Sequence, residues 1–282
     1  MTGQLWLVST PIGNLGDLPP RAVSTLNACA LICCEDTRHS GKLLKHAGVA
    51  CVPLAVANEH TEDARVAQVL EVLDSDRDVA LVTDAGTPGI SDPGARLVRA
   101  AIEAGHRVSA VPGPAALVMG LVLSGFDTTR FVFEGFLPRS GKDRVARIAD
   151  VAAERRTIVL YEAPHRVQRT VADLLAACGP DRQIALAREL TKLHEETWRG
   201  TLIGAVAHLD EHTPRGEFVV VLEGASELAA ATDDAIISAL RMALADGADR
   251  RTAIATVTAS TGASKRRVYD LALTIPRERN HD

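Results

Sequence analysis

The chain has 282 residues, 46% of them hydrophobic and 24% charged, with a formal net charge of −5. These values exclude a disordered chain, and they exclude the basic field of a protein that binds polyanions with its whole surface, so any nucleic-acid contact has to be local. The length predicts two domains or more, and with aromatic residues at 3% the cores have to be built from Ala, Val and Leu.

The first apolar run, at 5–8, is too short and lacks the basic flank of a signal peptide, and no stretch approaches the roughly 18 apolar residues of a membrane span. Cys29, Cys33, Cys34, Cys51 and Cys178 are odd in number, with no CxxC pair and no His at metal-ligand spacing. They read as reduced thiols, mostly buried, in a cytoplasmic protein without a metal site.

Taken in chain order, strands are predicted over 5–9, 31–34, 52–54, 79–83 and 108–111, with helices over 20–28, 41–47, 61–74 and 95–104 between them. This alternation predicts a mostly parallel sheet. Pro112, Gly113 and Pro114 punctuate the end of the first half, and a small-residue helix follows over 115–123. A second set of strands is predicted over 131–134, 157–161, 183–188, 196–201 and 217–221, with helices over 142–153, 167–177 and 203–209. Residues 223–231 read as an Ala-rich linker, and three short helices over 233–246, 250–258 and 264–272 complete the chain. The last two have the spacing of a helix-turn-helix, with the turn at Thr261 and Gly262, Ser264 as cap, and Lys265, Arg266 and Arg267 in the first turn of the second helix. The expected domains are 1–118, 119–224 and 232–275: two α/β domains and a small helical one.

The loops after these strands carry the polar chemistry. Ligands of open α/β sheets bind beyond the carboxyl ends of the strands, so Asp84, at the end of the fourth strand, is expected to point into a site. In the stretch TDAGTPGISDPG, Gly86, Gly89 and Gly94 let backbone approach a ligand while Pro88 and Pro93 hold the loop in shape. The competing reading is an elaborate turn in which Asp92 caps the next helix. The stretch STPIGNLGDLP repeats the recipe after the first strand, but it is not GxGxxG, which argues against a dinucleotide site. CEDTRHSGKLL brings Glu35, Asp36, Arg38, His39 and Lys42 to one strand end, YEAPHR brings Glu162, His165 and Arg166 to another, and ALARELTKLHEE adds Arg188, Glu189, Lys192, His194 and Glu195. Each alone reads equally well as a salt-bridged surface; together they predict a polar cleft between two domains.

The segments TPIGNLGD, EDTRHSGKLL, TDAGTPGISDPG, VPGP, GFLPR, YEAPHR and ELTKLHEE, in this order, resemble the ribosomal RNA small subunit methyltransferase I family, within the tetrapyrrole (corrin/porphyrin) methylase superfamily. The resemblance spans residues 5 to about 221, and the helical tail is similar to that family's extension. It implies S-adenosylmethionine bound between two α/β domains, a homodimer, and methylation of the ribose 2′-hydroxyl of cytidine 1402 of 16S ribosomal RNA in the small ribosomal subunit. Carried over by position, it implies Pro11, Asp84, Gly86, Ile90, Ala115, Tyr161, Leu186 and Ala187 as cofactor contacts. The opening TPIGNLGD departs from the glycine-rich GxGxGD-like loop of the tetrapyrrole enzymes, which argues against a tetrapyrrole substrate.

Methyl transfer to a hydroxyl needs alignment of the acceptor oxygen and removal of its proton. Glu35, Asp36, His165, Glu189 and Lys192 are the candidate proton acceptors or alkoxide-stabilising groups, with Arg38 and Arg166 as clamps on phosphate or alkoxide. A basic lip of Arg38, Lys42, Arg139, Lys142, Arg144 and Arg166, together with 265–267, is the expected RNA surface, and 139–144 is expected to be a loop able to close over it. Two other readings stay open: a small-molecule C-methyltransferase acting on a tetrapyrrole, and a non-catalytic RNA-binding factor using the helical tail.

Overall fold

A computed structural model of the chain describes residues 3–49, 52–58, 61–226, 232–261 and 263–275. It divides into two compact units, Met1–Gly224 and Ala225–Asp282. The first holds both sheets.

The first sheet consists of β1 (Gln4–Val8), β2 (Leu31–Cys34), β3 (Leu54–Val56), β4 (Val79–Leu81) and β5 (Arg107–Val111), all parallel, in the order β3-β2-β4-β1-β5. Its central strands are apolar without a break because both faces are covered. Along β2, Leu31 and Cys33 enter the core packed by α3 (Glu62–Asp74) and α4 (Ala95–Glu103), while Ile32 and Cys34 enter the opposite core beside α1 (Pro20–Ala28) and α2 (Thr37–His46). The strand period of two thus divides a continuous apolar run between two cores. Cys29 and Cys33 are buried free thiols, and burial pushes both up to about 12. Cys51 lies outside the described residues.

Helix α2 begins at Thr37, four residues before the expected start. Asp36 caps it by accepting from Arg38 N at 2.8 Å, so the polar stretch read as a loop is mostly the first turns of a helix. The predicted cap of α4 also differs. Gly94, at φ +136°, occupies the cap position, and the side chain that satisfies the helix start is Glu62, from α3. Its Oε1 accepts from Gly94 N, Arg96 N and Leu97 N at 3.1, 2.9 and 3.0 Å. Asp92 is released from that duty.

Helix α5 (Ala116–Ser124) leads to the second sheet: β6 (Phe131–Phe136), β7 (Thr157–Glu162), β8 (Gln183–Arg188), β9 (Glu196–Thr201) and β10 (Phe218–Leu222), ordered β6-β7-β10-β8-β9. Only β6 and β7 run parallel; β10 is antiparallel to both β7 and β8, and β8 to β9. One face packs on α6 (Gly141–Ala153), α7 (Pro164–Cys178) and α8 (Leu202–Glu211). The other packs on α5, where Gly120 sits so close to β10 that an added Cβ would lie 2.4 Å from Val219 Cγ1.

The second unit contains α9 (Asp233–Ala245), α10 (Arg250–Thr261) and α11 (Lys265–Leu273) around Ile236, Leu240, Ala253, Val257, Val268 and Ala272. Ser264 caps α11 through Arg267 N, and Arg267 pairs with Asp233 at 2.7 Å. Gly262, half of the expected turn, lies outside the described residues. Among the described residues no helix is long and apolar enough to cross a membrane.

Candidate active site

Parallel pairing of β1, β4 and β5 brings the loops that follow them to one end of the sheet, where hydrogen bonds tie them together. Thr10 and Gly86 exchange backbone hydrogen bonds at 2.8 and 3.1 Å. Thr10 Oγ1 donates to Thr83 O at 3.0 Å, and Thr87 Oγ1 donates to Pro114 O at 3.3 Å. Gly86 has φ +90°, a left-handed conformation that costs a glycine little.

Above these loops lies a cavity of about 430 Å³ whose opposite wall comes from the second sheet. Three carboxylates gather at the first sheet's side. Glu35 accepts from Thr83 Oγ1 and from Asp84 N. Asp84 Oδ1 is buried with no hydrogen-bond partner, and burial, followed by the charge of Glu35, raises the Asp84 pKa. Asp92 is pushed up to about 6, chiefly by burial, with Glu35, Asp84 and Glu217 adding to the effect and a hydrogen bond with Thr83 opposing it. Like charges crowded into a half-buried space favour an incoming cation or donor.

The second sheet's wall is more apolar. The Tyr161 hydroxyl accepts from Leu117 N at 3.0 Å, pinning the start of α5, and its ring meets Phe133 and Phe136 at centroid distances of 4.9 and 5.7 Å. His165 follows Pro164 in the first turn of α7. In the loop after β8, Glu189 and Thr191 have φ of +50° and +65°. Lys192 Nζ binds Glu189 Oε1 at 2.9 Å and holds that carboxyl below its ordinary pKa, while the lysine stem lies over Gly13.

Glu35, Asp84, Gly86, Ile90, Ala115, Tyr161, His165, Glu189 and Lys192 all line this cavity. Pro11, Asp36, Arg38, Leu186 and Ala187 do not. Asp36 and Arg38 form an ion pair at the head of α2, where the Arg38 side chain is 87% exposed and its hydrogen bonds lower Asp36 to about 2. Leu186 is committed to the core on the far face of β8, and Ala187 to the core beneath α5.

Phe136, Glu217 and Val219 also line the cavity without having been singled out, as do Ser91 and Asp92 from the quoted loop. Phe136 opens the segment FLPR, so a signal was present; Glu217 immediately precedes a strand, where the rule of carboxyl ends does not look. The basic lip changes more. Arg144 lies on a helix rather than in a mobile loop, and it is buried at 4% exposure. Arg166 pairs with buried Glu162.

Comparison with known proteins matches residues 4–205 to the family described as Tetrapyrrole (Corrin/Porphyrin) Methylases. A protein of Synechocystis sp. named Ribosomal RNA small subunit methyltransferase I is 45% identical over 96% of this chain and 98% of its own length. Proteins of the same name from Xylella fastidiosa and Escherichia coli O157:H7 are 47% and 44% identical, over 81% and 79% of this chain and 84% and 78% of theirs. Among solved structures, the methyltransferase CobJ superposes with a TM-score of 0.60 at 18% identity, covering 79% of this chain and 95% of its own. Uroporphyrin-III-C-methyltransferase from Thermus thermophilus gives 0.53 at 21%, covering 78% and 92%. At such identities these two structures speak for the fold alone.

Proposed function

From the premise that the chain belongs to the tetrapyrrole (corrin/porphyrin) methylase family, and within it to that of ribosomal RNA small subunit methyltransferase I, we propose that it methylates ribosomal RNA. In this reading S-adenosylmethionine is the donor, and the acceptor is the ribose 2′-hydroxyl of cytidine 1402 of 16S RNA in the small ribosomal subunit. The RNA acceptor is favoured over a tetrapyrrole because the relatives bearing that name match at more than 40% identity along most of the chain.

The observation that carries the donor assignment is the buried, unpartnered Oδ1 of Asp84, a carboxylate oxygen in the cavity whose own hydrogen-bonding capacity is unused. It fits a ligand that brings a cation and amine donors. Asp84, Gly86, Ile90, Ala115 and Tyr161 are the cavity residues we assign to holding it; Pro11, Leu186 and Ala187 lie outside the cavity lining and are given no part in it. When bound, S-adenosylmethionine supplies a methyl group already activated on sulfonium sulfur. The protein's task is then to seat the acceptor oxygen and accept its proton.

Glu35, His165, Glu189 and Lys192 share the cavity and are the groups placed for that proton or for the developing alkoxide. Glu35 is fixed by Thr83 and Asp84 N, and Glu189 by Lys192, so each is held in one orientation before substrate arrives. Asp36 and Arg38, outside the cavity, take the lesser role of ordering the head of α2.

The decisive experiment transfers label from S-adenosylmethionine to small subunits lacking the modification and maps the labelled nucleotide with nuclease. Label on one ribose 2′-oxygen is the expected result. Tight cofactor binding without label on RNA would return the assignment to a small-molecule acceptor.

A further inference from the structure

A second cavity, of about 390 Å³, lies beside the one described and is lined by Arg139, Arg144, His165, Arg166, Arg169 and Thr170. His165 lines both, so the two cavities share a wall.

The arginines are built into place. Three successive carbonyls between β6 and α6 each accept from one of them: Leu137 O from Arg166 Nη2 at 2.6 Å, Pro138 O from Arg144 Nη1 at 2.9 Å, and Arg139 O from Arg169 Nη1 at 3.4 Å. Arg144 is further fixed by Asp173 Oδ2, at 2.9 and 2.7 Å, and by Thr170 Oγ1 at 3.0 Å. Glu162 Oε1 takes Arg166 Nε at 3.1 Å. Four guanidinium groups thus face two carboxylates, and Arg144 and Arg169 share one of them. The cluster keeps an excess of positive charge.

Structural ion pairing does not require that excess: the buried Arg144 and the half-buried Arg166 already have Asp173 and Glu162, and the surplus charge sits on Arg139 and Arg169 at the exposed mouth of the cavity, where an incoming anion can meet it. A guanidinium has five N–H donors in a rigid fork, so groups already oriented by carbonyls still have donors to offer, and the fork matches a phosphate. The neighbouring cavity has the opposite sign at its far side, where Glu35, Asp84 and Asp92 repel a phosphate. Arg139 and the Arg169 side chain, 63% exposed, leave the arginine cavity open to a long polymer.

We propose that this arginine cavity binds a backbone phosphate of the RNA substrate and thereby holds the adjoining ribose at the His165 wall of the larger cavity. The proposal rests on the RNA reading above. It assigns Arg144 and Arg166, held on carbonyls, to orienting the cradle, and Arg139 and Arg169 to contacting the phosphate.

The test uses the full chain and small ribosomal subunits lacking the modification, and measures subunit affinity as a function of salt for the wild type and for the double variant R139Q/R169Q. Losing phosphate contacts should weaken binding several-fold and flatten the slope of log affinity against log salt by about 1. Affinity for S-adenosylmethionine, measured by calorimetry, should stay unchanged and so report a folded cleft. The double variant R139K/R169K should recover most of the slope. An unchanged slope in R139Q/R169Q, with the wild type methylating subunits normally, overturns the phosphate site and leaves the RNA reading standing. Calorimetric binding of inorganic phosphate that the variant loses, without any change in subunit affinity, assigns the cavity to a free anion and also overturns the proposal. A wild type that transfers no methyl to subunits defeats the RNA reading itself, and the inference falls with it.

Discussion

The two sheets of the first unit build opposite walls of one cavity by different geometries. In the first, every strand is parallel, so the loops after β1, β2, β4 and β5 emerge at the same end. In the second, β10 runs antiparallel to its neighbours β7 and β8, so the end that carries the site contains the exits of β7 and β8 and the entrance of β10. The difference teaches that the rule placing ligands beyond the carboxyl ends of strands covers all of one wall and only part of the other. It also divides the chemistry: Glu35, Asp84 and Asp92 crowd together on the parallel side, whereas on the mixed side Glu189 is paired with Lys192 and the wall is faced by Tyr161 and Phe136.

The sharpest way to break this comparison is to remove the anion at its centre. Asp84→Ala should weaken S-adenosylmethionine binding by about 10- to 100-fold, the equivalent of one charged hydrogen bond of about 1.5–3 kcal/mol. Calorimetry measures it, and wild-type affinity in the variant would remove Asp84 from the site and leave the parallel wall without its defining group.

The loop that carries Asp84 and Asp92 depends on Glu62, whose buried carboxylate holds three amides at the start of α4. Glu62→Ala leaves these donors without a side-chain partner and should destabilise the fold by about 2 kcal/mol, read from denaturant unfolding. An unchanged midpoint would show that water replaces the carboxylate freely.

That same contact shows what was legible in the sequence and what was not. The order of elements, the parallel first half and the Asp84 loop follow from patterns within short windows: apolar runs bounded by Gly and Pro. Glu62 replaced Asp92 as the cap because two helices meet in space, and no local signal marks that. Glu217 and Val219 escaped for the related reason that their place in the cavity comes from antiparallel pairing of β10, a long-range fact. Arg144 looked like a surface cation and is buried because Asp173 and Thr170, a full helix away, receive it. Residues whose role comes from their own loop were readable; those whose role comes from a partner far along the chain were not.

Asp92 offers a smaller test of the crowding of carboxylates on the parallel side. Its folded pKa of about 6 lies above the ordinary carboxylate value, so the folded state is penalised where Asp92 is ionised. The penalty is absent below about pH 4, grows as pH rises and is complete above about pH 6. Asp92→Asn should therefore raise stability relative to wild type near pH 7, by about 1 kcal/mol once solvent screening is allowed for, and the gain should vanish below about pH 4. Unfolding at a series of pH values measures it; a gain that does not depend on pH would refer the effect to packing instead of charge.

The finest test lies where the two walls touch. A Cβ on Gly13, in the loop after β1, would lie 2.3 Å from Cγ of Lys192, in the loop after β8. Gly13 is exposed and the Lys192 side chain is 32% exposed, so Gly13→Ala should cost the fold no more than about 0.5 kcal/mol. The lysine stem must nevertheless move, and with it the ammonium that holds Glu189. If the two walls act on the acceptor together, methyl transfer to subunits should fall in Gly13→Ala while S-adenosylmethionine affinity holds, because Asp84 and its loop are untouched. Full transfer in the variant would mean that the position of Lys192 is immaterial to the reaction, and that the proton is handled by Glu35 or His165 instead of the Glu189–Lys192 pair.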